Sequence, residues 1–173
     1  MLDEPADHAI GSSRGGLTTK THLVADGHGR GLAVLITPGQ AGDSPMLADM
    51  LDGVKVPRLD AGAPRTTPDE LIGDKAYSAA ANRKLLRRRR IKAVIPERAD
   101  QVTNRKRKGR SGGRAPDFDR DTYKRRNVIE RAFNKAKQWR AIATRYDKLA
   151  LTYRAGFALA LVIEWLKLLG DTP

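Results

Sequence analysis

The chain has 173 residues, enough for one domain with a real core. It contains no cysteine, which excludes disulfides, thiol catalysis and cysteine-ligated zinc. A net charge of +13 and a pI near 10.4 point to a polyanion as partner, nucleic acid first.

Met1 to Gly16 is polar and rich in Gly and Ser and reads as loop, and its acids Asp3, Glu4 and Asp7 do not fit a signal peptide. Leu17 to Ala25 has the β-branched content and alternation of a strand. Asp26-Gly-His-Gly-Arg-Gly31 is a turn signal, and Leu32 to Thr37 follows as a more fully buried strand, so the three make a hairpin that Pro38-Gly39 ends. Asp43 is expected to cap a helix running to about Leu51. Pro57 to Pro68 reads as a surface connection. Glu70 to Asp74 is a short apolar strand ending on an acid, and Ser78 is expected to cap a helix from about Ala79 to Arg89. Ala93 to Ile95 is a third short buried strand, stopped by Pro96.

Residues 97–118 show no apolar period and carry many bases, which predicts a flexible basic loop. One helix is expected from about Asp119 to Ala143. An apolar packing helix follows over 149–169, interrupted by Arg154, Glu164 and Lys167 and so unsuited to span a membrane. The element order, with no internal repeat, predicts a single domain over 1–173 of α/β class, a mixed sheet flanked by helices.

Two acids stand out. Asp74 closes a short buried strand before a helix, a frequent place for functional groups in α/β folds, although a turn aspartate would look the same. On a helix, Tyr123, Arg126, Glu130 and Lys137 fall within an arc of roughly 60°, beside an apolar stripe of Val128, Ile129, Ala132, Phe133 and Ala136. Read alone, Glu130 is a helix-surface acid that pairs with Arg126 or Asn134 at helical spacing.

Together these residues resemble the DDE-type transposases of bacterial insertion sequences, in the IS-four and IS-five superfamily. The resemblance rests on the Tyr123, Arg126, Glu130 and Lys137 spacing, which matches that group's signature at each position. Leu71-Ile-Gly-Asp74-Lys-Ala-Tyr77 is similar to its segment bearing the second catalytic aspartate, and Arg14 to Lys20 to its second-strand region. The resemblance covers about Pro5 to Leu169. It implies an RNase H-like fold, two Mg²⁺ or Mn²⁺ ions held by carboxylates, and cleavage and strand transfer of DNA at element ends and target. Asp74 and Glu130 would be the catalytic and metal-binding acids, and Tyr123, Arg126 and Lys137 would lie at the DNA.

One departure is expected to matter. The family places a first aspartate on a first strand, and no strand is expected before Leu17. Asp26 and Asp43 sit in a turn and a cap, and Asp3 and Asp7 lie beside Pro5, so none is assigned that role. The chain therefore reads as N-terminally truncated and lacking the first strand. It would be inactive alone and prone to aggregate at an open sheet edge. A homo-oligomer or an upstream-frame product would supply the missing strand.

The tracts Arg87, Arg88, Arg89, Arg90 and Arg105, Lys106, Arg107, Lys108 suit phosphate contacts without sequence readout. Aromatics are few, so base stacking is not a main mode. His8, His22 and His28 have no metal-ligand spacing. The expected setting is cytoplasmic, at the nucleoid. A non-catalytic DNA-binding remnant is the alternative reading, and an RNA-binding module driven by charge alone ranks below both.

Overall fold

The computed structural model describes residues 8–170. Strands β1 (Gly11–Ser13), β2 (Gly16–Ala25) and β3 (Gly31–Pro38) form an antiparallel sheet in the order β1-β2-β3. The β2–β3 turn closes on Asp26, whose Oδ1 accepts from the backbone N–H groups of His28 and Arg30, both at 2.9 Å. Asp is common in turns because its side chain can hold the backbone in this way, and Gly because it adopts a positive φ, as Gly29 does at 85°.

Strand alternation divides the hairpin between two cores. Leu23, Val34 and Ile36 face a cluster formed by Ala132, Ala136, Ile142, Tyr153, Phe157, Ala160 and Leu161. Val24 and Leu35 face the opposite way, onto Leu47, Met50, Leu51, Leu86, Ile91 and Ile95. A strand covered on both faces reads as the continuous apolar run seen at Leu32–Ile36. Yet every β3 residue keeps partial exposure, so the strand is less buried than its sequence predicts. Its position at the sheet's outer edge is the reason.

Helices α5 (Asn127–Ala136), α6 (Arg140–Thr144) and α7 (Ala150–Gly170) supply the first core. Phe133 and Phe157 meet edge-on at 6.0 Å, and the Tyr153 hydroxyl donates to the Ile142 carbonyl at 2.8 Å. Helix α7 lies close on β3. A Cβ on Gly31 would stand 2.6 Å from Leu161 Cδ1, and the Trp165 indole donates to the Gly31 carbonyl at 3.0 Å. No helix among the described residues is long and apolar enough to cross a membrane.

The second core is built by α1 (Leu47–Asp52), α2 (Ala80–Arg88) and a parallel pair, β4 (Glu70–Ile72) and β5 (Lys92–Val94). The crossover through α2 is what a parallel pair requires. The chain is thus of mixed α/β class, with an antiparallel sheet and a separate two-stranded parallel sheet.

Several expectations are corrected. A strand does precede Leu17: β1 folds back on β2 through Arg14-Gly15, with Gly16 at φ 102°. It carries Gly-Ser-Ser and no acid. Asp43 does not cap through its side chain but pairs with Lys20 at 3.1 Å, and a 3₁₀ turn precedes α1. Ser78 is buried and is not the N-cap of α2, which is Ala79; it is instead the C-cap of the 3₁₀ turn Lys75–Tyr77, whose N-cap is Asp74. Residues 97–118 are not all loop. Helix α3 (Ala99–Arg107) forms there, with the Gln101 side chain accepting from the Arg98 N–H and Arg105 paired with Glu97 at 2.7 Å. Charged helix formers need no apolar period when local caps and ion pairs satisfy the ends.

The long helix of 119–143 is three pieces: α4 (Arg120–Lys124), α5 and α6. Asp119 caps α4, accepting from Asp121 and Thr122, and its hydrogen bonds with the Thr122 side chain and backbone hold its carboxyl down at about 2. At Arg125 and Arg126 the backbone tightens to i→i−3 bonds, Arg125 to Thr122 and Arg126 to Tyr123, which separates α4 from α5.

Candidate active site

A cavity of about 880 Å³ opens between the two sheets. One wall is the unbroken run Lys20–Gly27 of β2 and its turn, and the facing wall is Pro68–Asp74, containing β4. Helix α5 and its N-cap close a third side with Arg126, Val128, Ile129, Glu130 and Phe133.

Asp74 reaches this cavity because β4 ends two residues earlier and the chain turns into a 3₁₀ helix. Its Oδ1 accepts from the Ala76 N–H at 2.8 Å. Its Oδ2 makes no hydrogen bond among the described residues. Glu130 lies in the first turn of α5, where a carboxylate is favoured by the helix dipole. Its Oε1 accepts from Arg126 Nη2 at 2.7 Å, and Oε2 makes no hydrogen bond among the described residues.

The lining is dense in charge and almost fully paired. Lys20 pairs with Asp43, Arg30 with Asp26, Arg65 with Asp69, Arg125 with Glu70 and Arg126 with Glu130. Asp74 is the one lining carboxylate without a cationic partner among the described residues. Tyr77 sits beside it, and its hydroxyl is pushed up to about 12 by burial, with Asp43 and Asp74 adding to the shift. The phenol therefore remains an uncharged donor at neutral pH. On the β2 wall, His22 is buried with Nε2 2.7 Å from Thr37 Oγ1, and burial lowers its pKa.

The structure brings Asp74, Arg126 and Glu130 to one cavity and leaves Tyr123 and Lys137 outside its lining. Tyr123 instead packs edge-on against Phe118 at 5.2 Å, with the Arg126 guanidinium 5.8 Å over its ring. Lys137 is the exposed C-cap residue of α5. The tract Arg87, Arg88, Arg89, Arg90 ends α2, and Arg89 is tied to Asp52 at 2.7 Å. In the other tract Arg105 is held by Glu97, while Lys106, Arg107 and Lys108 are exposed. Neither tract lines the cavity. Lys20, Arg65, Arg125 and Tyr77 do, and sequence reasoning leaves them unassigned. The signal for Tyr77 is its place three residues after Asp74 in the segment that carries the resemblance.

The family model for the Transposase DDE domain matches residues 4–165. A protein of Brucella ovis named as a transposase for insertion sequence element IS6501 is 30% identical over 151 residues, spanning 87% of this chain and all of that relative. A Burkholderia cepacia protein named as a transposase for insertion sequence element IS402 is 31% identical over 80 residues, 46% of this chain and 38% of that relative. No solved structure matches the chain. With its family model matched over nearly its whole length, the chain belongs to the DDE-domain transposases of bacterial insertion sequences.

Proposed function

We propose that this transposase cuts and joins DNA at the cavity between its two sheets, with Asp74 and Glu130 as metal-binding acids of an RNase H-like site. One observation supports this above others. Two carboxylates from different halves of the fold, each with an uncommitted oxygen, face the same cavity, and one of them has no cationic partner there.

The donor set fits a hard divalent cation in kind, since Mg²⁺ and Mn²⁺ take carboxylate oxygens. It falls short in number: no group of three or more candidate ligands occurs among the described residues. Asp74 and Glu130 would hold the ions, and a third acid would come from outside the described cluster. When bound, such ions activate an attacking hydroxyl and stabilise a leaving oxygen.

The chain's own residues supply the rest. Arg126 orients Glu130 and keeps further N–H donors for a phosphate. Tyr77 offers a neutral hydroxyl next to Asp74, adding a hydrogen-bond donor without adding charge. The exposed Lys106, Arg107 and Lys108, with Arg87, Arg88 and Arg90, would hold the DNA backbone. Tyr123 and Lys137, on the outer side of the same segment, would extend that track.

The test is calorimetric titration of Mn²⁺ into the wild-type chain, Asp74→Asn and Glu130→Gln, beside nicking of element-end DNA. Loss of at least tenfold in Mn²⁺ affinity in each variant supports the assignment, and unchanged affinity in either overturns it. The absence of a three-acid group among the described residues favours a second reading, a DNA-binding remnant without catalysis. DNA affinity that ignores Mn²⁺, together with no heat of metal binding, selects that reading.

A further inference from the structure

Round α5 from the cavity, the β2–β3 turn closes over the helix and leaves a small notch. It is lined by His28 and Gly29 of the turn and by Val128, Arg131, Ala132 and Lys135 of the helix. The turn comes this near because Gly29 has no side chain: a Cβ there would stand 3.3 Å from Val128 Cγ1. At 100° per residue, Arg131 and Lys135 stand about 100° and about 140° round α5 from Glu130. Val128 alone lines both spaces, so the notch is separate from the acids of the cavity.

Its charge is in surplus. Arg131 is exposed and has no ion pair among the described residues. Lys135 meets Glu164 at 3.6 Å, but the same carboxylate takes Lys167 at 2.7 Å, so one acid serves two ammonium groups. The acid of the turn, Asp26, is committed to the Arg30 side chain and to the backbone N–H groups of His28 and Arg30. The lining therefore offers a guanidinium, an ammonium group and an imidazole, with no carboxylate among them.

We propose that this notch binds a single phosphate group, held by Arg131 and Lys135 on the helix and by His28 on the turn. Its volume is about 40 Å³, room for about three oxygens at the ~10–15 Å³ that each needs. Three oxygens are one face of a phosphate tetrahedron. The planar guanidinium donates two parallel N–H bonds to such a face, and the lysine adds a point charge. The two unesterified oxygens of a DNA backbone phosphate fit as well as those of a free phosphate ion, and the two share this chemistry. Neither Asp74 nor Glu130 takes part, so the site stands apart from the metal-binding role given to them, and its test uses no metal.

The chain has three histidines, so the ring signals of the histidine-labelled full chain give a direct readout by nuclear magnetic resonance. Inorganic phosphate, titrated at constant pH against sodium chloride of equal ionic strength, should shift His28 saturably and leave His8 and His22 nearly unmoved. Arg131→Gln and Lys135→Gln should each weaken that response at least tenfold, with unchanged His8 and His22 signals showing that the variants are folded. The proposal is overturned if phosphate moves His28 no more than chloride does, or if both variants respond like the wild type. A short DNA duplex then separates the two sources. If it shifts His28, and Arg131→Gln lowers the slope of log affinity against log salt by about 1, the group bound is a backbone phosphate. If phosphate shifts His28 and the duplex does not, the notch takes the free ion.

Discussion

The two cores that flank the hairpin are built differently. The first, under α5, α6 and α7, mixes aromatic rings with alanines: Phe157 and Tyr153 against Ala132, Ala136 and Ala160. The second, under α1 and α2, is aliphatic apart from Met50: Leu47, Leu51, Leu86, Ile91 and Ile95. Alanines let α5 and α7 approach closely and leave the rings to fill the volume, while the second core gains its density mainly from branched aliphatic side chains, with Met50 among them. The difference matters for the site because each core positions one acid. Glu130 rides on α5 and the first core, whereas Asp74 follows β4, which packs on the second through Leu71. The cavity is therefore only as well defined as the contact between two separately built halves.

Breaking the first half should have the largest effect. Phe157 is 1% exposed and carries much of the first core, so Phe157→Ala should cost about 3–5 kcal/mol in urea unfolding. It should also weaken Mn²⁺ binding, since α5 loses its support. Leu86→Ala in the second core should cost about 2–5 kcal/mol and act on the Asp74 wall instead. If the halves are energetically separate, the double variant will lose the sum to within about 0.5 kcal/mol. A clear departure from additivity would show that they fold as one unit. A smaller loss is expected of Gly31→Ala, whose Cβ would meet Leu161 on α7: about 1–3 kcal/mol, read from the unfolding midpoint.

The same division explains what the sequence reveals. The hairpin, α2, the strands at 70 and 92 and the long last helix are legible because local pattern and tertiary burial agree there. The 119–143 region is not, because Arg125 and Arg126 are good helix formers and nothing local marks the tightening that separates α4 from α5. For the same reason the helical-wheel arc that grouped Tyr123 and Lys137 with Glu130 does not bring them into one cavity. Asp74, Arg126 and Glu130 were legible as a set through a resemblance in spacing. Two of the ion pairs that neutralise the rest of the lining, Lys20–Asp43 and Arg125–Glu70, were not, since they join residues far apart in the chain.

Tyr77 offers the gentlest probe of the seam between the halves. Its hydroxyl is raised to about 12 first by burial, then by Asp43 and then by Asp74. Asp43 is fastened to Lys20 on the antiparallel sheet, whereas Asp74 belongs to the parallel half, so the phenol senses both walls. Raised above its unfolded value near 10, the group contributes stability that is complete below about pH 10 and is lost as pH rises towards about 12. Ultraviolet titration of the tyrosinate should show one late-ionising ring, absent in Tyr77→Phe, and that variant should lose less stability over the same interval. Asp43→Asn should lower the late titration more than Asp74→Asn does. The reverse order would mean that the β4 wall, and not the contact with the antiparallel sheet, sets the environment of the cavity.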